Sequence, residues 1–232
     1  MSAQTIIVDA ILFDMDGTLI DSTPGLIKAW EQFCKDYDLG DPTKIIHDTH
    51  GRRLSDTLKD ICNIQDEEKL LVEINRFEEH VIMGGPTALP GVQKLVEDLQ
   101  SQHPSRWTVV TSATAFYAPR ALERCGIPLP KKGIITSDDV ENGKPHPDPY
   151  LAGAKKCGAD PRRCLVIEDA IAGLISGRNA GSKTVAVCTS TLRATIQASD
   201  AQPDFIIDDL TRLSIGRKME GSQGIEVTIE DM

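Results

Sequence analysis

Two aspartates two positions apart, Asp14 and Asp16, are the residues of this sequence best placed to do chemistry. They follow the apolar run 11–13, which is typical of a buried strand, and they precede Gly17, which permits a sharp turn. In open α/β sheets, ligands bind at the carboxyl ends of the strands, where both carboxylates would lie. At ~4 Å, two such charges repel by roughly 4 kcal/mol at an effective dielectric of 20. The pair therefore predicts a bound cation or a reaction at this strand end.

The same string has two other interpretations, a solvated turn and a calcium-binding loop. An Asp-x-Asp-Gly string is also common in solvated turns, because Asp and Gly both favour turns. A calcium-binding loop with Gly17 as its central glycine would place Leu12 and Thr23 at its first and last ligand positions, and neither residue supplies a carboxylate. The sequence therefore excludes an EF-hand, and the rest of the chain must decide between a turn and a site.

Polar residues follow two further predicted strands. Thr111 and Ser112 offer hydroxyls and backbone N–H groups that could bind a phosphate, although Ser and Thr at such places also cap helices. Glu168 and Asp169 form a second carboxylate pair at a strand end, where acidic residues can also simply favour a helix N-terminus. Together with the first pair they would make an oxygen-rich, negative cleft of the kind that Mg²⁺ prefers.

Lys144 is the best-placed cation of the sequence. It lies in the run GKPHPDPY (143–150), in which three prolines restrict the backbone to an extended loop. Most lysines are solvated surface charges, but a lysine on a stiffened loop at the edge of a sheet favours a positional role.

Composition restricts the class of protein. The chain has 232 residues, of which 40% are hydrophobic and 26% charged, as expected for a globular protein with one large domain or a core with a small insertion. Its net charge of −10 argues against nucleic-acid or membrane partners. The six cysteines show neither C-x-x-C nor zinc spacing, and no segment resembles a signal peptide or membrane anchor. We therefore expect a cytoplasmic monomer with a small-molecule ligand.

The hydrophobic pattern predicts the elements that must position these residues. Strands are expected over 6–13, 107–110, 133–136, 164–167, 184–187 and 205–207, with helices over 116–125, 148–157 and 171–180. This alternation predicts an α/β fold, a Rossmann-like parallel sheet with helices on both faces. Residues 22–88 instead carry apolar residues at helical spacing, which predicts a small α-helical cap domain inserted into a core of 1–21 and 89–232. The tail alternates over 225–229, which fits either a terminal edge strand or a surface tail.

Four motifs in this order resemble those of the haloacid dehalogenase superfamily: Asp14-x-Asp16-Gly17-Thr18, Thr111, Lys144 and Glu168-Asp169. The resemblance spans residues 12 to about 187. The helical insertion resembles a C1-type cap. The runs THGRR (49–53), VVTSAT, GKPHPDPY and IEDAIAG resemble the fungal glycerol-3-phosphatase and 2-deoxyglucose-6-phosphatase group.

The resemblance implies a role for each of the matching residues. Asp14 would attack phosphorus and form an aspartyl-phosphate, and Asp16 would protonate the leaving alkoxide and then activate water. Thr111, Ser112 and Lys144 would hold the phosphoryl oxygens. A carboxylate can act as a covalent nucleophile, and attack on a phosphate dianion requires nearby positive charge.

The resemblance also implies Mg²⁺ as the cofactor. Asp14, the backbone carbonyl of Asp16 and Asp169 would hold the ion, with Glu168 beside it. Haloalkanoate dehalogenation is disfavoured, because metal ligation and an acid at Asp16 serve phosphate rather than halide.

The predicted cap carries the candidate substrate contacts, His50 and Arg53, although arginines on such a segment are also common as surface charges. The resembling mutases have an arginine three residues after the cap glycine, where this sequence has Leu54 after Gly51. A Mg-dependent phosphomonoester hydrolase acting on a small polyol or sugar phosphate is therefore expected, with glycerol-3-phosphate favoured and 2-deoxyglucose-6-phosphate open. The alternatives are a phosphosugar mutase or phosphotransferase, and a non-catalytic binding protein on the same fold.

Overall fold

The structure is a computed structural model that describes residues 2–49, 51–217 and 224–231. Its strands are, in chain order, β1 (Ser2–Val8), β2 (Ala10–Phe13), β3 (Ile20–Asp21), β4 (Thr87–Ala88), β5 (Trp107–Val109), β6 (Cys164–Glu168), β7 (Lys183–Val187), β8 (Phe205–Ile207), β9 (Leu213–Ile215) and β10 (Ile225–Asp231). Its helices are α1 (Thr23–Asp36), α2 (Pro42–Thr49), α3 (Leu54–Ile61), α4 (Glu67–Met83), α5 (Val92–Gln102), α6 (Ala118–Arg124), α7 (Asp148–Cys157), α8 (Ile171–Asn179) and α9 (Arg193–Ala198). The predicted α/β class is confirmed.

A parallel sheet with the order β5-β2-β6-β7-β8 forms the centre of the molecule. Its inner strands are buried on both faces, as expected for a parallel sheet covered by helices. Ile11 and Phe13 contribute to one apolar cluster, whereas Leu12 packs on the other face with Tyr150 of α7. In register, Phe13 lies between Val109 and Ile167, so the carboxyl ends of β5, β2 and β6 meet at one edge.

The predicted first strand, 6–13, is wrong as a single element. The chain leaves the antiparallel strand β1 at Val8 and enters the parallel strand β2 at Ala10. Asp9 lies at the break and forms an ion pair with Arg163, whose Nε is 2.5 Å from Asp9 Oδ2. A carboxylate is costly inside a central strand, so the charge in this apolar run divides it into strands of two different sheets.

The tail prediction is also corrected. The strand Ile225–Asp231 exists, but it lies between β1 and β9 in an antiparallel sheet and is therefore not an edge strand. Ile225, Val227 and Ile229 are all buried, so the alternation in the sequence marks one face that packs on the core.

Two shorter elements differ from their predictions. Residues 133–136 form only a single bridge, Val110 to Ile135, because Thr136 turns the chain as the cap of a short 3₁₀ turn at Ser137–Asp139. Helix α6 starts later than predicted, since Thr114 organises the preceding residues as a turn. Helix α8 starts at Ile171, as predicted, so Asp169 lies in the loop before it.

Residues 22–88 contain helices α1 to α4. Trp30 and Phe33 of α1 pack against Phe77 of α4, with ring centroids 5.0 and 5.1 Å apart, so this segment has aromatic packing of its own. β3 pairs with β4, which places the chain entering the segment beside the chain leaving it. The predicted boundaries at 22 and 88 remain a prediction. Within the described ranges, every helix is too short or too polar to span a bilayer.

Candidate active site

Lys144 joins the ends of three strands. Its Nζ donates hydrogen bonds to Asp14 Oδ1 after β2 (2.6 Å), to Glu168 Oε1 at the end of β6 (2.7 Å) and to the carbonyl of Val110 after β5 (3.1 Å). Lys144, Asp14 and Glu168 are all buried. The proline-rich loop therefore places the ammonium group of Lys144 at the edge where the three strands end. Asp14 and Lys144, both predicted from the sequence as site residues, are in direct contact.

Three buried carboxylates form a cluster, and two of them contact this cation. Asp14, Glu168 and Asp169 each place one oxygen so that all three oxygens lie within 4.8 Å of one another. At this distance each pair of charges repels by about 3–4 kcal/mol at an effective dielectric of 20. One lysine against three carboxylates leaves two negative charges uncompensated. Closely spaced carboxylate oxygens are the donors that hard divalent cations take, so the residues present fit Mg²⁺.

The site carboxyl of Asp169 depends on Gly17 for its place. Thr18 Oγ1 donates to Asp169 Oδ1 (3.2 Å), and the hydroxyl of Ser190 donates to Oδ2. Gly17 has φ +89°, and a Cβ at this position would lie 2.0 Å from Asp169 Oδ2. A glycine is therefore required both by the backbone conformation and by the approach of the carboxylate. Ser190 carries no sequence signal that would have predicted this contact.

Glu168 is fixed at both of its oxygens. Oε2 accepts from the backbone N–H groups of Asp169 (3.1 Å) and Ala170 (3.0 Å). Oε1 accepts from Lys144 and from the hydroxyl of buried Tyr150 (2.9 Å). Both oxygens of Glu168 are therefore bonded to the protein, and its place beside the metal ligands remains a prediction. Tyr150 was missed from the sequence.

Burial and charge shift the pKa values in this cluster. Burial and the charge of Glu168 raise the pKa of Asp14 well above its ordinary range, with Lys144 acting in the opposite direction. Burial lowers the pKa of Lys144, but the charges of Asp14 and Glu168 outweigh it and the net pKa is raised. Lys144 is therefore a permanent cation, whereas the acidic cluster without further positive charge favours protonation of Asp14.

Asp16 lies apart from that cluster. Its Oδ1 accepts a hydrogen bond from the hydroxyl of Tyr117 (2.9 Å), and the side chain of Ser22 is a second partner. Burial raises the pKa of Asp16, which favours a carboxyl group that can carry a proton. The two predicted aspartates thus have different surroundings, one beside a cation and the other beside hydroxyl groups.

The predicted phosphate-binding residues Thr111 and Ser112 lie on the loop after β5. Thr111 Oγ1 accepts from the N–H of Ala113 (3.1 Å), which shapes the loop as a tight turn beside Asp14. Ser112 Oγ donates to the carbonyl of Gly51 (3.0 Å), so it fastens this loop to the helical segment. Their binding of phosphoryl oxygens remains a prediction.

Arg53 and Gly51 bring the helical segment onto the site. The guanidinium of Arg53 donates to the carbonyls of Val140 (2.9 Å) and Glu141 (3.2 Å), in the loop that leads to Lys144. A Cβ at Gly51 would lie 2.8 Å from the Cβ of Ala170, the residue after Asp169. The other predicted contact of this segment, His50, lies outside the described residues.

Glu78 of α4 forms a second link from the helical segment. It is buried, and its carboxylate accepts from Thr114 N (3.2 Å) and Thr114 Oγ1 (2.5 Å). Burial raises the pKa of Glu78 to about 7, against the effect of the bonds from Thr114. No sequence signal marks this glutamate, because its position on the helix is that of an ordinary charged residue.

A cavity of about 140 Å³ lies between the helical segment and the loops after β5 and before Lys144. Hydroxyl groups, one guanidinium, one carboxylate and two aliphatic side chains line it: Arg53, Leu54, Ser55, Ile74, Ser112, Thr114, Ser137 and Asp138. Such a mixed lining suits a molecule with hydroxyl groups on a short carbon chain. Among the described residues, the Nε of Arg53 has no hydrogen-bond partner.

Comparison with known proteins identifies relatives along most of the chain. Hexitol phosphatase A of Escherichia coli is 36% identical over 76% of this chain and 81% of its own. Glycerol-1-phosphate phosphohydrolase 2 of Saccharomyces cerevisiae is 37% identical, covering 79% and 76%. 2-Deoxyglucose-6-phosphate phosphatase 1 of the same yeast is 29% identical, covering 94% and 95%. These names agree with the predicted enzyme class and confirm the predicted resemblance.

Solved structures show the same fold. A hydrolase from Pseudomonas syringae superimposes with a TM-score of 0.73 at 27% identity, over 87% of this chain and 93% of its own. A β-phosphoglucomutase from Clostridium difficile has a TM-score of 0.74 at 21% identity, over 90% and 94%. At this lower identity the second structure supports the fold alone. Residues 11–187 match the family of haloacid dehalogenase-like hydrolases, and the chain belongs to this family.

Proposed function

We propose that this protein is a Mg²⁺-dependent phosphatase that hydrolyses the phosphomonoester of a small polyol or sugar through an aspartyl-phosphate on Asp14. One observation carries the proposal. Asp14 lies at a strand end in contact with a buried lysine, whereas Asp16, two residues later, is held apart by hydroxyl groups. The two carboxyl groups are thus separated into a candidate nucleophile and a candidate acid.

The proposed reaction has two steps. A carboxylate oxygen of Asp14 attacks phosphorus, the bond from phosphorus to the ester oxygen breaks, and Asp16 gives its proton to the departing alkoxide. In the second step Asp16 takes a proton from water, whose oxygen attacks the phosphorus and releases inorganic phosphate and free Asp14. Lys144 orients Asp14 and holds positive charge beside the attacked group.

Asp14 and Asp169 would hold the Mg²⁺, together with the carbonyl of Asp16, and Glu168 would lie beside them. When bound, the ion supplies the positive charge that the acidic cluster lacks and withdraws charge from a phosphoryl oxygen. It would also favour the ionised form of Asp14, which the attack requires. The buried position of all three clustered carboxylates supports this assignment.

Residues 22–88 are proposed to act as the cap that recognises the alcohol. The cavity of about 140 Å³ is smaller than the roughly 300–1,000 Å³ of pockets that take drug-sized ligands, which supports a short substrate. Arg53 lines this cavity, and its Nε is a buried donor without a partner among the described residues. The names of the relatives, which include polyol and sugar phosphatases, support the same class of substrate, with a glycerol phosphate favoured.

A phosphosugar mutase is less well supported by the cavity. A mutase must grip a second phosphate, and the cavity lining combines a single arginine with Asp138. Leu54 lies in this lining as an apolar side chain. The carboxylate and the leucine both disfavour a second phosphate at this place.

Phosphate release from a panel of phosphomonoesters, with Mg²⁺ and with a chelator, tests the proposal. We expect glycerol phosphates and other small polyol or sugar phosphates to be hydrolysed with Mg²⁺ and not with the chelator. Rates independent of the metal would contradict the cofactor assignment. Conversion of a sugar 1-phosphate into its 6-phosphate without release of phosphate would instead show a mutase.

A further inference from the structure

Tyr117 lies at the start of α6 and reaches across to the first aspartate motif, 101 positions away in the sequence. Tyr117 is buried, with 3% of its surface exposed, so packing fixes the position of the ring. Its hydroxyl donates to Oδ1 of Asp16 at 2.9 Å. Burial and the charge of Asp16 raise the pKa of Tyr117, so the hydroxyl remains protonated and acts as the donor.

This hydrogen bond constrains how Asp16 can carry a proton. A carboxyl oxygen that accepts from Tyr117 is occupied as an acceptor, so the transferable proton of Asp16 belongs on Oδ2. The bond also restricts rotation of the carboxyl group of Asp16, two positions after the proposed nucleophile Asp14. Ser22 is the second partner of the same carboxyl group.

The place of Tyr117 depends in turn on the helical segment. Thr114 Oγ1 accepts from the backbone N–H of Phe116 (3.2 Å) and of Tyr117 (3.3 Å), and this turn sets the start of the helix. Glu78 of α4 holds Thr114 through both its backbone N–H and its hydroxyl. A continuous set of contacts therefore runs from the helical segment through Thr114 and Tyr117 to Asp16.

We infer that Tyr117 is a positioning residue that aims the acid Asp16 at the departing oxygen, and that Glu78 and Thr114 make this placement depend on the docked helical segment. The inference rests on the proposed function. Tyr117 itself touches neither the phosphoryl group nor the nucleophile in this scheme. Its effect is exerted entirely on the proton that Asp16 delivers.

The leaving group offers a specific test, because only poor leaving groups need that proton. The variant Tyr117→Phe keeps the buried ring and removes the hydroxyl. The test compares kcat/KM of the variant and the wild type for p-nitrophenyl phosphate, phenyl phosphate and glycerol 3-phosphate. This parameter reports the steps up to transfer of the phosphoryl group to Asp14. A p-nitrophenolate departs without protonation, a phenolate benefits from it, and an alkoxide requires it.

The expected result is a loss that grows along this series. For Tyr117→Phe we expect kcat/KM to fall about tenfold for glycerol 3-phosphate, less for phenyl phosphate, and less than about twofold for p-nitrophenyl phosphate. Thr114→Val should give losses in kcat/KM that rank the three esters in the same order but differ less from one another. The reason is that this change loosens the turn and leaves the hydroxyl of Tyr117 intact. Tyr37→Phe, the same change at the residue that follows α1 and outside the cavity lining, should leave all three values unchanged.

Two outcomes would overturn the inference. Equal losses on all three esters would mean that Tyr117 serves the fold, and no loss on any would mean that its bond to Asp16 has no role in proton delivery. Both outcomes leave the phosphatase assignment standing, since the wild-type protein would still release phosphate in a Mg²⁺-dependent manner. Absence of release by the wild type from every ester would instead refute the proposed function.

Discussion

Replacing Glu78 by glutamine should change how the stability of the protein depends on pH. The ordinary pKa of this carboxyl is 4.5, and burial raises it to about 7 in the folded protein. Between these values the folded protein binds a proton at Glu78 that the unfolded chain releases. The stabilisation is therefore fully present below pH 4.5 and is lost as the pH rises through 7.

The magnitude follows from the size of the shift. Each unit of pKa difference corresponds to about 1.4 kcal/mol. The raised pKa of Glu78 should therefore lower the unfolding free energy of the wild type by about 2–3 kcal/mol as the pH rises from 5 to 8. Glutamine cannot ionise, so the variant lacks this loss. The amide of the introduced glutamine can still form hydrogen bonds with Thr114. A difference in hydrogen-bond strength between variant and wild type that does not change with pH cancels, because only the pH dependence of the unfolding free energy is compared.

The measurement is urea unfolding at several pH values from 5 to 8, for the wild type and for Glu78→Gln. Other titrating groups are common to both proteins, so the difference between their unfolding free energies isolates Glu78. Exposed Glu97 on α5 supplies a matched control, because Glu97→Gln should leave the pH dependence unchanged. If Glu78→Gln and the wild type change in parallel within about 0.5 kcal/mol, Glu78 is not a carboxyl of raised pKa.

Two further predictions concern the cavity and the metal. Arg53→Ala should lower kcat/KM for the preferred polyol phosphate about tenfold, because one contact with a substrate hydroxyl is lost. The loss of kcat/KM for p-nitrophenyl phosphate should be much smaller. Equal losses on both substrates would show that the guanidinium only holds the loop before Lys144. Asp169→Ala should raise the Mg²⁺ concentration for half-maximal phosphate release, or abolish release, because a carboxylate leaves the cluster. A Mg²⁺ titration identical to that of the wild type would remove Asp169 from the ligands. Asp160→Ala, a half-buried aspartate outside the cluster, is the unaffected control.

The strand ends could be predicted from the sequence because their signals are local. Asp14 follows its apolar run directly, Glu168 and Asp169 follow theirs, and the rule that ligands bind at the carboxyl ends of parallel strands brings them together. The proline pattern around Lys144 is equally local. The structure places these four residues in one buried cluster.

The contacts that position this cluster could not be predicted, because they join distant parts of the chain. Tyr117 meets Asp16 across 101 positions, and Glu78 meets Thr114 across 36. On a helix, Glu78 has the pattern of an exposed residue, and only the packing of α4 on the core buries it. Ser190 likewise carries no motif of its own, and Tyr150 ends the run 143–150 without any sign of its contact with Glu168.

The errors in the fold have a related cause. The run 6–13 is apolar enough for one strand, and the sequence alone does not show that Asp9 would find Arg163, 154 positions later, as the partner that fixes a break there. The tail 225–229 has the pattern of a strand with one buried face. That pattern does not say whether one or two neighbours pair with it, and the structure provides two.

The central claim, phosphoryl transfer to Asp14, is tested most directly by trapping the covalent intermediate. In the variant Asp16→Asn the first step should still proceed with p-nitrophenyl phosphate, whereas hydrolysis of the intermediate should be slow, because no base activates the water. Acid quenching followed by peptide mass spectrometry should then find one phosphoryl group on Asp14. The double variant with Asp14→Asn should carry none. A phosphoryl group on another residue, or release of p-nitrophenolate from Asp16→Asn without any labelled peptide, would contradict the account.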